Sequence, residues 1–148
     1  MGLRDRLVGS RTRVGLYVDG PNVLRSEFDV DLDDLRDRAA ADGQLAITRL
    51  YLDERAPAEL VQAAEARGFE VVTTSSDVDV RLAVDATTAA VEGDIDVLVV
   101  VSRDSDFKPV LEAAARRGVE TVAIAPGAHG RSDALRNAAN RAYTLEDA

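Results

Sequence analysis

Val97-Leu98-Val99-Val100-Val101-Ser102-Arg103-Asp104-Ser105-Asp106-Phe107 is the stretch that decides the fold. Five apolar residues without a polar interruption read as a strand buried on both faces, the mark of a parallel sheet covered by helices on each side. The run ends at Ser102. Asp104 and Asp106 follow near the start of the next helix, where unpaired backbone N–H groups favour negative charge.

Outward from this stretch, β-rich runs alternate with amphipathic segments along the chain. Periodicity predicts strands at residues 14–18, 46–52, 69–73, 95–101 and 119–124, with a short last one near 142–144. Helices are predicted at 32–41, 57–66, 78–91, 107–117 and 132–137. Arg67-Gly68 and Arg116-Arg117-Gly118 close two of them with a cation in the last turn and a glycine suited to a left-handed cap. The alternation selects an α/β fold, a three-layer α/β/α sandwich around a mainly parallel, Rossmann-like sheet. Ligands of such sheets bind at the carboxyl ends of the strands, where strand order reverses.

The length of 148 residues and hydrophobic content of 46% suit one continuous core. The expected division is a basic, flexible arm over residues 1–12 and one domain over 13–148, with a flexible loop at Gly127-Ala128-His129-Gly130. No run approaches the 18 or so apolar residues of a membrane span. The four arginines up to Arg13 come without the hydrophobic run of a signal peptide, so a cytoplasmic protein without membrane partners is expected. Cysteine is absent and His129 is the lone histidine, which excludes disulfides and thiolate ligands and disfavours zinc. The net charge is −9, and Lys108 is the single lysine among 18 basic residues. This Asp-rich composition resembles that of salt-loving organisms. At ordinary ionic strength it opposes polyanions, so nucleic acid must be held by a local basic patch or by bound metal.

Val18-Asp19-Gly20-Pro21-Asn22 places a carboxylate at the tip of the first strand, then a sharp turn, then an amide directed back toward it. Helix and turn capping is the plainer role for Asp19 and Asn22, as it is for Asp106. Between the two strand tips, Ser76-Asp77-Val78-Asp79-Val80-Arg81-Leu82-Ala83-Val84-Asp85 reads as the start of a helix. Six residues turn a helix through about 240° beyond a full circle, so Asp79 and Asp85 cannot point the same way. Asp79, near the strand ends, is the preferred ligand; Asp85 is left to bond a basic group or orient a metal-bound water. Carboxylates gathered at one sheet edge repel unless a divalent cation lies among them.

Val-Asp-Gly-Pro-Asn after strand one, the Asp-Val-rich helix start leading to Leu-Ala-Val-Asp-Ala, and Ser-x-Asp-Ser-Asp-Phe together resemble the NYN domain, and within it the LabA-like branch. That family is similar to the PIN nucleases. The resemblance runs from about Arg13 to Leu145. It implies a PIN-like sandwich whose acidic cluster binds Mg²⁺ or Mn²⁺ and hydrolyses RNA phosphodiester bonds. Carried onto this chain, the resemblance implies Asp19, Asp79, Asp104 and Asp106 as the catalytic, metal-holding set, with Asn22 and Asp85 supporting.

Three positions depart from the family pattern. Ser76-Asp77 stands where Lys-Gly is usual, Arg103 replaces a glycine, and Asn140 stands for a frequent aspartate, keeping an oxygen ligand but losing a charge. Arg103, Arg131 and Arg25 are the expected phosphate or RNA contacts, with Arg136 a further candidate, because the guanidinium fork matches phosphate. RNA is the expected partner, no nucleotide cofactor is implied because Gly-x-Gly-x-x-Gly is missing after strand one, and a homodimer is compatible. The alternative is a weakly active or inactive module of the same fold that binds RNA or a protein partner in a regulatory role. Phosphotransfer receivers and haloacid-type phosphatases fit poorly, since Pro21 occupies the position of the latter's second aspartate.

Overall fold

The computed structural model describes residues 12–24, 30–127 and 132–145. Six strands, β1 (Arg13–Asp19), β2 (Gln44–Asp53), β3 (Glu70–Thr74), β4 (Val97–Val101), β5 (Glu120–Ala125) and β6 (Arg141–Thr144), form one sheet in the order β3-β2-β1-β4-β5-β6. Every neighbouring pair is parallel. The order reverses between β1 and β4, where a doubly wound sheet opens a crevice at its carboxyl edge.

Side-chain alternation divides the core into two layers. Val14, Leu16 and Val18 of β1, with Val97, Val99 and Val101 of β4, face one side, where Leu32, Leu35 and Ala39 of α2 (Leu32–Ala40) and Ala64 of α3 (Ala58–Ala66) cover them. Leu98 and Val100 face the other side, against Leu82 and Ala86 of α4 (Val78–Val91) and Leu111 of α5 (Lys108–Arg116). Leu135 of α6 (Asp133–Ala138) joins this second layer. Helices on both faces explain why Val97–Val101 is apolar throughout: each of its residues is at most 3% exposed.

The element ends have local causes. Gly68 and Gly118 take φ of +89° and +78°, and Phe69 and Val119 donate back to the Ala64 and Ala114 carbonyls, so the cap signals after both helices hold. Ser132 caps α6 through its hydroxyl to the Leu135 N–H at 3.3 Å. β2 starts two residues before the expected 46, with Ala46 as the extra residue in the register shift opposite Val14 and Gly15. β4 starts later than expected because Asp96 turns its carboxylate to the Arg13 N–H at 2.8 Å. Sequence periodicity missed a single helical turn, α1 (Gly20–Val23), directly after β1. Residues 1–11 of the expected arm (1–12) and loop residues 128–130 lie outside the described residues. No helix among the described residues is long and apolar enough to cross a membrane.

Candidate metal centre

Asp19 ends β1 with only 2% of its surface exposed. A buried charge needs hydrogen bonds, and Asp19 has them: Asn22 Nδ2 donates to its Oδ2 at 2.8 Å and Ser102 Oγ at 3.0 Å. Gly20 and Pro21 turn the chain into α1, which brings Asn22 back over the strand tip. Ser102 is the first residue after β4, so this bond ties together the two strands between which sheet order reverses.

The ties continue on the β4 side. The Asp104 N–H donates to Ser102 Oγ at 3.0 Å, and Asp104 Oδ1 accepts the Asp106 N–H at 2.9 Å, capping the 3₁₀ turn Ser105–Phe107. Arg103 Nε donates to Asn22 Oδ1 at 2.9 Å. The arginine that replaces the family's glycine thus steadies the amide that steadies Asp19.

Asp79 enters from the first turn of α4, across the cleft. Asp79, Asp104 and Asp106 each offer one carboxylate oxygen, and the three oxygens lie within 4.8 Å of one another. Oxygens on one octahedral cation at about 2.1 Å stand roughly 3 Å apart when adjacent and about 4.2 Å when opposite. Small side-chain movements would bring this set to the spacing of ligands on one metal ion. The donors are all carboxylates, a set that suits a hard cation and not a thiophilic one. Asp19 is outside this group of three but lines the same cleft, of about 390 Å³, with Asn22, Asp53, Asp77, Asp79 and Asp104.

Burial pushes the Asp19 carboxyl above the ordinary carboxylate range; the Asn22 and Ser102 bonds offset part of this, and the negative charges of Asp104 and Asp79 add to it. Because the folded chain holds that proton more tightly than the unfolded one, Asp19 lowers stability at neutral pH. The loss is relieved as pH falls through the raised value toward 3.8. Asp19→Asn removes the charge and keeps an oxygen acceptor for Asn22 and Ser102. In metal-free buffer it is expected to stabilise the protein by about 1 kcal/mol at pH 7. Denaturation of both proteins from pH 7 to pH 4 should show the difference shrinking; a constant difference would assign the effect to packing.

Other expected residues sit elsewhere. Asp85, six residues into α4 from Asp79, accepts from Tyr51 Oη at 2.8 Å and Arg81 Nε at 3.1 Å, with Arg49 Nη1 at 3.5 Å. It fastens α4 to β2 instead of facing the cleft. Burial, and then Asp85, raise the Tyr51 phenol pKa, so it stays protonated as the donor. Asn140 is a correction. It precedes β6 at the amino edge of the sheet, where its Oδ1 accepts the Thr121 N–H at 2.9 Å, so its oxygen serves strand pairing at the far edge from the acidic cleft. Arg136 Nη1 stands 3.4 Å from Thr144 Oγ1. Arg25 and Arg131 lie outside the described residues.

Sequence reasoning missed Asp53 and Ser102. Leu50-Tyr51-Leu52-Asp53 carries the same signal as the first strand, an apolar run that stops at an acid, and Asp53 lines the cleft.

A sequence model of the NYN domain matches residues 13–146. The chain belongs to the NYN domain family. Its NYN domain is 42% identical over 129 residues to a protein of Methanocaldococcus jannaschii, "Uncharacterized protein MJ0482", covering 86% of this chain and 53% of that one. The chain thus spans about half the length of this relative. A crystal structure of a protein of unknown function, VPA0982, from Vibrio parahaemolyticus superimposes with a TM-score of 0.79 at 20% identity, covering 93% of this chain and 94% of that one. At that identity the likeness shows the shared fold.

Proposed function

We propose that this NYN domain is a metal-dependent ribonuclease, of the LabA-like branch within the PIN-like nucleases, that hydrolyses RNA phosphodiester bonds in the cytoplasm. The observation that carries the reading is the convergence of Asp79, Asp104 and Asp106 beside the buried Asp19 at the switch point of the sheet. A bound Mg²⁺ or Mn²⁺ supplies an activated water and neutralises charge on the phosphate and leaving oxygen.

The chain's own residues do the placing. Asp79, Asp104 and Asp106 hold the cation, and Asp19 extends the set from the strand tip. Its hydrogen bonds from Asn22 and Ser102 both end on Oδ2, so among the described residues Oδ1 is the oxygen they leave for the cleft. Asn22 and Ser102 fix the Asp19 carboxylate before any ligand arrives, so little reorganisation remains for the reaction. No side chain needs to act as a covalent nucleophile.

The test is cleavage of labelled single-stranded and structured RNA by purified protein with Mn²⁺, with Mg²⁺ and with chelator, at low and high salt. Cleavage that requires the divalent ion is expected. Saturable RNA binding without any cleavage would replace this reading with the regulatory binding module.

A further inference from the structure

A second cavity adjoins the acidic cleft and differs from it in chemistry. It is an open groove of about 360 Å³ whose walls include Pro21, Leu24, Leu52, Ala56, Pro57 and Leu60. Cleft and groove share Pro21, Asp53 and Arg55, so they are continuous across that ridge. Among the described residues that line the acidic cleft, Arg55 is the one cation.

The Arg55 guanidinium is largely exposed to solvent. Its side chain is 89% exposed and its Nη2 lies 3.7 Å from Asp53 Oδ2, a contact too loose and too solvated to hold it. Asp53 also accepts the Arg55 N–H at 2.8 Å, which fixes the backbone at the ridge. Arg103, by contrast, is engaged with Asn22.

We propose that Arg55 and this groove form a nucleotide subsite: the groove takes one base of single-stranded RNA, and Arg55 takes the phosphate that links that base to the scissile position. The proposal rests on the ribonuclease reading above. Three observations select the occupant. The groove has the volume of a small-ligand pocket and an aliphatic and prolyl lining that can cover a base face. Arg55, the one cation among the described residues lining the cleft, is shared by groove and cleft, where a phosphate crossing the acids needs its counter-charge. Asp53 fixes the Arg55 backbone at the carboxyl edge of β2, beside β1 and its Asp19.

The test uses a short labelled oligoribonucleotide, its abasic counterpart of equal length, Mn²⁺, and the Arg55→Ala, Arg55→Lys and Ala56→Glu variants. Cleavage kinetics should show Arg55→Ala and Ala56→Glu raising KM about tenfold with kcat within about twofold, because the lost contacts are made equally in the ground and transition states. Arg55→Lys should recover part of the loss. The abasic strand should bind the wild type about tenfold more weakly and be indifferent to Ala56→Glu. Unchanged KM in Arg55→Ala and Ala56→Glu, with the wild type cleaving, overturns the subsite and leaves the nuclease reading standing. Cleavage that ignores Mn²⁺ and Asp104 overturns the nuclease reading, and fluorescence anisotropy with the same variants then decides the subsite alone. Tenfold weaker binding by Arg55→Ala upholds it there; equal binding, or no binding by the wild type, overturns it. Arg55 is exposed, so its removal leaves the core intact even if Ala56→Glu does not fold.

Discussion

Asp104→Asn is expected to lower metal-dependent RNA cleavage by at least about 100-fold while leaving the melting temperature within a few degrees of the wild type. The substitution keeps the oxygen that accepts the Asp106 N–H, so the cap of the 3₁₀ turn survives. What it removes is one charge from the three carboxylates that converge within 4.8 Å. Electrostatic stabilisation by a held cation is worth several kcal/mol in the transition state, and about 3 kcal/mol corresponds to roughly 150-fold in rate. Single-turnover cleavage with saturating Mn²⁺ separates loss of affinity from loss of chemistry. Asp19→Asn should lose cleavage too while gaining stability in metal-free buffer, and that opposition of effects marks a site shaped for a ligand. If wild type and Asp104→Asn share the same residual activity, the activity belongs to a contaminant.

Gly20→Ala should produce the largest loss of stability among substitutions near the cleft. A Cβ at position 20 would stand 2.4 Å from the Tyr51 carbonyl oxygen and 2.4 Å from Leu52 Cδ2. The oxygen belongs to the backbone of the neighbouring strand, so it cannot rotate aside as a flexible side chain does. Strands β1 and β2 must part where Asp19 pairs with Tyr51. Overpacking of this kind costs about 2 to 3 kcal/mol, which for a chain of this length lowers the melting temperature by roughly 5 to 10 °C. Cleavage should fall as well, because the displaced tip carries Asp19. Calorimetry of the variant beside the wild type measures the first effect. An unchanged melting temperature would mean that β1 and β2 are looser at their carboxyl ends than the packing shows.

Asp-Gly-Pro-Asn therefore carries two messages, of which the sequence displays only one. A carboxylate at the end of an apolar strand is legible from pattern, because the strand period and the stop are local. The need for glycine comes from Tyr51, 31 residues away in the chain, and no local signal reports it. The same division runs through the rest of the site. The strand ends at Val101 and the helix start at Asp77-Val78 placed Asp104, Asp106 and Asp79 near the carboxyl edge, and the structure brings their oxygens together.

Asp85 and Asn140 depend on tertiary partners. Helical geometry separates Asp85 from Asp79, but its bond to Tyr51 needs β2 beneath α4. The sequence suggests a weakened ligand at Asn140 because it stands where the family often has an aspartate. Parallel pairing of β5 with β6 carries it instead to the amino edge, against Thr121. Asp53 is legible in the same way as Asp19, since its strand stops at an acid like the first, but it lies outside all three family-like motifs.

In the proposed function Asp79, Asp104 and Asp106 hold a divalent metal, with Asp19 beside them. Crystals soaked in Mn²⁺ and measured near the manganese absorption edge test it directly. The account predicts an anomalous peak within about 2.1 to 2.3 Å of carboxylate oxygens from at least two of Asp79, Asp104 and Asp106, absent from crystals of Asp104→Asn. Anomalous density confined to other acidic surfaces, with the cleft empty at saturating Mn²⁺, would contradict it.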